Sequence, residues 1–198
     1  MLEDRLMIFS TLTFGAFLNG CVVSSYGPLI PYYSRETSQD ENHFSYIMMA
    51  RSIGVVLGLL LVKYLPFYLS SFAIVVGTSL VSSAIFITNT LSLSDFNLFA
   101  TFVVMAASSI LFSGTGIGIT FQLYPDSAAF YVQLRGFVFG VGAITGPLLV
   151  GVFELKTYVY LGLLMLLPVV FFLRYPVPNI NTGEATTSQS KPFISSKA

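Results

Sequence analysis

The sequence predicts an all-α, polytopic membrane protein with six transmembrane helices, and three observations predict it. Charged residues make up 9% of the chain and apolar residues 55%. A soluble protein carries about a quarter charged residues, so this chain has too few to clothe an aqueous surface. The apolar residues fall into six runs, each near or above the roughly 20 residues that a helix needs to cross hydrocarbon. None of the runs alternates apolar and polar residues with period two, as the strands of a membrane barrel do.

The first run, Leu6 to Tyr32, holds no charge and has Asn19-Gly20 in its middle and Gly27-Pro28 later. MLEDRL before it mixes acids with an arginine, and the run is too long for a signal-peptide core, so it is expected to be a span that also directs insertion. A polar loop, Ser34 to His43, leads to the second run, Phe44 to Leu65, which carries Arg51. A short turn from Lys63 to Pro66 opens the third, Phe67 to Thr88. The loop Asn89 to Asp95 precedes the fourth, Phe96 to Leu123, with SGTGIG at Ser113 to Gly118.

The fifth run, Tyr131 to Phe153, has one charge, Arg135, then Gly136, Gly140, Gly142, Gly146 and Gly151, with Pro147 after Gly146. A proline kinks an aqueous helix, but in lipid neighbouring helices re-satisfy the freed carbonyl. Glycines let backbones approach where water supplies no drive for association. The run reads either as a packing helix of a bundle or as a flexible helix of a moving transporter. Glu154 to Lys156 is a tight turn before the sixth run, Thr157 to Leu173. The expected organisation is a bundle over 1–175 and a cytosolic tail over 176–198, disordered because prolines and small polar residues dominate it.

Zero net charge provides no basic footprint for nucleic acid. One cysteine, Cys21, in an apolar run and one histidine, His43, in a polar loop make a metal site, a cofactor or an enzyme unexpected. Arg5, Lys63, Arg135 and Arg174 fall on one side. Arg35 and Lys156 fall on the other, beside Glu36, Asp40, Glu41, Asp95 and Glu154. By the positive-inside bias both termini face the cytosol.

The second and fifth runs share a pattern, G-x-x-x-G-x-L-L-V from Gly54 through Gly58 and from Gly142 through Gly146-Pro147, each with an arginine upstream. They are the middle members of two groups of three spans. The second group starts on the opposite side of the membrane, which makes a 3+3 inverted repeat of the kind that builds many secondary transporters.

FLNGCVVSSYGPLIPYY in the first run, FSYIMMARSIGVVLG in the second and GVGAITGPLLVG in the fifth resemble the N-terminal half of the major facilitator superfamily. The branch they are most similar to is the sodium-dependent glucose transporter-like and fucose permease-like one. Two departures stand out. LVKYLPFY between the second and third runs lacks the family's Asp, and the fourth run lacks its opening Arg. The resemblance implies one six-helix half of a twelve-span fold. Such a half is expected to move a small solute, a sugar by branch, by alternating access, either as a fragment of the larger fold or beside a second half or a second copy. The other expectation is a non-transporting membrane subunit packed on a partner.

Candidate substrate-binding residues follow from polarity inside apolar runs. An ionisable side chain in hydrocarbon costs about 2.5–3.5 kcal/mol on insertion scales and so calls for a partner or a wet cavity. Arg51 either snorkels to the outer surface or pairs with Glu154 or a ligand. Arg135 is expected to be an anchor at the lipid headgroups. Asn19, mid-span, offers an amide that both donates and accepts, and Tyr26 lies seven residues on, nearly on the same face. Gln122 and Gln133 flank the expected inner mouth. Gly54, Gly58, Gly142, Gly146 and Pro147 are the expected packing and gating positions.

Overall fold

The computed structural model describes residues 2–89 and 94–175. Its helices are α1 (Leu2–Thr37), α2 (Tyr46–Tyr64), α3 (Ser71–Asn89), α4 (Asp95–Leu123), α5 (Ala128–Phe153), α6 (Lys156–Leu164) and α7 (Leu166–Arg174). Short 3-10 turns, Glu41–Ser45 and Leu65–Phe67, flank α2. Six helices are long and apolar enough to cross a membrane, α6 and α7 together making the sixth. No strand occurs among the described residues. The expected tail, 176–198, and most of the loop before α4 lie outside the described residues.

α1 is longer than its apolar run. Glu3 and Asp4 in its first turn and Arg35 in its last complement the helix dipole, and the helix runs on through Pro28 and Pro31. α4 starts where Ser94 Oγ accepts a hydrogen bond from the Asn97 N–H at 3.3 Å, satisfying one of the free donors of a helix start. α5 ends at Glu154, which takes a left-handed φ of 51°. That residue reverses the chain into α6, and Thr157 Oγ1 donates back across the turn to the Leu149 carbonyl at 3.1 Å.

α1 and α4 stand innermost, with α5 lying along α1, α2 lying along α4, and α3 packed on α4, α6 and α7. Both long pairings are backbone-close. A Cβ added at Gly142 would sit 2.9 Å from the Phe17 carbonyl carbon, and one at Gly20 would sit 2.9 Å from the Ala143 nitrogen. Gly146 meets Cys21 and Ser24 in the same way. On the other pair, a Cβ at Gly54 would come within 2.9 Å of the Val103 carbonyl carbon, and one at Gly58 within 3.0 Å of the Ala107 Cα. The two G-x-x-x-G patterns are therefore contact surfaces, one on α4 and one on α1.

Large apolar side chains are turned outward, unlike in a soluble protein. Ile144, Leu148 and Val152 on α5 and Val56, Leu59 and Leu60 on α2 are exposed, apolar outer faces that suit lipid and would be an aggregation hazard in water. The interior gathers Tyr26, Tyr33, Phe44, Phe86, Phe102 and Tyr158, all almost wholly buried. A second cluster, Ile8, Leu12, Val75, Phe112, Ile119, Leu123 and Phe172, fills the end that carries Arg5 and Arg174.

Replacing Gly142 or Gly54 by Leu is expected to destabilise the fold by at least about 1–3 kcal/mol, the cost of overpacking, because backbone rather than a yielding side chain stands opposite. The outward Gly140, which has open space, should tolerate Ala. Thermal unfolding of the purified variants in detergent checks both.

Candidate functional site

Two cavities open between α1, α2, α4 and α5. The first, about 190 Å³, is lined by Val23 and Tyr26 of α1, Arg51 and Val55 of α2, Ala106, Ser109, Ile110 and Ser113 of α4, and Phe139 of α5. The second, about 200 Å³, is lined by Ala16 of α1, Ser113 and Ile117 of α4, and Val132, Arg135, Gly136 and Phe139 of α5. Ser113 and Phe139 border both. Tyr26 and Ala16 are ten residues apart on α1, so the cavities follow one another over about 15 Å of helix.

Each cavity has one arginine. Arg51, half-buried, lies with its guanidinium carbon 5.6 Å from the centroid of the Tyr26 ring. A cation over an aromatic face is attracted by the ring quadrupole. Tyr26 in turn stands edge-on to Phe102, ring centroids 4.7 Å apart, and its hydroxyl finds no hydrogen-bond partner among the described residues. The expected pairing of Arg51 with Glu154 does not form. Glu154 instead accepts a hydrogen bond from Arg35 Nη2 at 3.0 Å. The reason is register: Arg35 ends α1 beside the end of α5, whereas Arg51 lies inside the bundle.

Arg135 is not a surface anchor either. It is 5% exposed and its guanidinium lies on Gly116 of α4, where an added Cβ would come within 2.9 Å of Cζ and Nη1. Neither Nε nor Nη1 has a hydrogen-bond partner among the described residues. Counting along the chain put Arg135 near a membrane surface. The fold turns that face of α5 inward, onto a glycine that the sequence offered only as part of SGTGIG.

Asn19 is buried but lines neither cavity, so it does not share a pocket with Tyr26. Gln122 and Gln133 are exposed. Ser113, the first residue of SGTGIG, and Ser109, which the sequence did not single out, supply hydroxyls to the walls. Their spacing of four on α4 was a readable signal, since it puts them on one helix face.

Polar ties hold both ends of the bundle. At one end, besides Arg35 and Glu154, His43 Nε2 lies 3.0 Å from Asp95 Oδ2 and the Tyr46 hydroxyl donates to Asp95 Oδ1 at 3.2 Å. Exposed pairs of this kind contribute little stability. Deeper, Asn89 Nδ2 donates to the Tyr33 hydroxyl at 3.2 Å. At the other end Phe9, Tyr124 and Tyr131 form an aromatic cluster, and Arg5 Nη1 donates to the Leu123 carbonyl at 3.4 Å.

No protein-family model, no curated protein and no solved structure matches this chain.

The only native thiol, Cys21, is buried, so a cysteine placed at Ser113 can be followed without background. Ser113→Cys is expected to react with an anionic methanethiosulfonate about tenfold faster than with a cationic one of similar size, because two arginines focus a positive field on the cavities. Equal rates would show that no such field reaches Ser113.

Proposed function

We propose that the chain is a membrane transporter of a small hydroxylated solute, a sugar by its branch resemblance. It would act by alternating access as one six-helix half of a major facilitator-type fold, with both termini in the cytosol. The single observation that carries this reading is the crossed pairing of the glycine surfaces. α2 lies on α4 through Gly54 and Gly58, and α5 lies on α1 through Gly142 and Gly146. Exchanging the first three spans with the second three turns one pairing into the other, as an inverted repeat requires. The cavities lie between those two pairs, where transporters of this design keep their solute.

In this reading Tyr26 and Arg51 contact the solute from the cavity wall, and the glycine surfaces let α2 and α5 shift with little obstruction. Pro147 supplies a hydrogen-bond gap at which α5 bends. A second copy or a second half supplies the opposite wall of the path.

Two measurements test this. Labelling from each side of sealed vesicles should place both termini on the same face. Proteoliposomes holding the purified chain should take up members of a panel of neutral and acidic hexoses, and Tyr26→Ala should slow that uptake roughly tenfold, equivalent to about 1.4 kcal/mol. Termini on opposite faces would end the inverted-repeat reading. Uptake of no member would end the transport reading in favour of a non-transporting membrane subunit.

A further inference from the structure

The cost of burying Arg135 is the starting point. A guanidinium does not give up its proton in a protein, so the side chain carries its charge wherever it is placed. Buried charges are paired or solvated, because an unpaired one in a low-dielectric interior costs several kcal/mol. Here the side chain is 5% exposed, and its Nε and Nη1 have no hydrogen-bond partner among the described residues. It borders a cavity whose polar side chains, apart from itself, reduce to Ser113. The adjoining cavity adds a second cation, Arg51, and again no carboxylate. The ion pairs of Arg35 with Glu154 and of His43 with Asp95 lie outside both.

Such a path is built for negative charge. Arg135 at the wall of the second cavity has the side-chain chemistry, a planar guanidinium, that matches carboxylate and phosphate. The Ser113 hydroxyl can donate to such a group, and Phe139 walls off an apolar side. Arg51, in the adjoining cavity that shares Ser113 and Phe139 with this one, adds positive potential from a second direction. The glycine under Arg135 has a physical reason to be there, since any side chain at Gly116 would push the guanidinium off its seat.

We propose that the paired cavities bind an organic anion of hexose size, its carboxylate or phosphate group held by Arg135 and its body lying towards Ser113 and Tyr26. This rests on the transport reading in naming the class of solute, and makes that solute an acidic sugar rather than a neutral one.

The test is direct binding to the full chain, purified and placed in nanodiscs of phosphatidylcholine alone, read by calorimetry at constant ionic strength. The probes are gluconate, glucose 6-phosphate and glucose. At least one anionic probe should bind and glucose should bind at least about tenfold more weakly, the scale of losing a charge-assisted hydrogen bond. Arg135→Gln should abolish the preference. Arg135→Lys should keep part of it, because charge survives without the fork. Gly116→Ala, which leaves the charge in the chain but moves it, should weaken anion binding. Circular dichroism of each variant separates this from unfolding.

Equal binding of glucose and both anions would overturn the proposal, as would no binding of either anion, or anion binding that Arg135→Gln and Gly116→Ala leave unchanged. A lipid phosphate is the other source of the same chemistry. If phosphatidylglycerol in the nanodiscs competes fully with the soluble anions, and co-purifies with the wild-type chain but not with Arg135→Gln, the site belongs to lipid and the solute proposal falls. Anion binding without uptake would sink the transport reading and leave the site standing. Arg135-independent uptake would sink the site and leave transport standing.

Discussion

Backbone-to-backbone contact across glycine is the constraint on which the rest of this fold depends. Lipid offers no hydrophobic reason for two apolar helices to meet, so association rests on dispersion between closely approaching surfaces. Gly20, Gly142 and Gly146 bring α1 and α5 together, and Gly54 and Gly58 bring α2 and α4 together, at distances no side chain would permit. These two contacts set the spacing of the four helices around the cavities. They also set which face of α5 turns inward, and with it the position of Arg135.

Two kinds of polar interaction are kept apart. The ion pairs sit at the exposed ends, where each charge keeps water and the pair adds little. The arginines inside the bundle lack such partners. Arg51 has the face of Tyr26; Arg135 has the backbone of Gly116 and a cavity. An uncompensated charge in a low-dielectric site is poor construction for stability alone and good construction for attracting a ligand of opposite charge.

The proposed mechanism and the fold share one physical need. A bundle that moves must have surfaces that slide without losing packing, and small residues opposite backbone provide that better than interlocked large ones. The large side chains are placed elsewhere, in the aromatic interior formed by Tyr33, Phe44, Phe86 and Tyr158 and in the cluster around Phe112 and Phe172.

The sequence by itself determined the element type and the number and order of the membrane-length spans, though not the break at Met165 that divides the sixth into α6 and α7. Scarcity of charge and runs of about 20 apolar residues leave a helix as the way to satisfy each backbone group within one segment. Sequence also marked Gly54, Gly58, Gly142, Gly146 and Pro147 as packing and gating positions and Tyr26 and Arg51 as candidate substrate contacts; the structure lays those four glycines against backbone and sets Tyr26 and Arg51 in the wall of one cavity. Tertiary structure decided what each polar side chain faces. Helices that are apolar all round carry almost no periodic signal to say which side turns inward, so Arg135 was legible as a charge near a helix end but not as a buried one. Asn19 was legible as mid-span but not as lying outside the cavities. Glu154 found Arg35 rather than Arg51 because the ends of α1 and α5 meet in space, a juxtaposition of residues more than a hundred positions apart that no local pattern records.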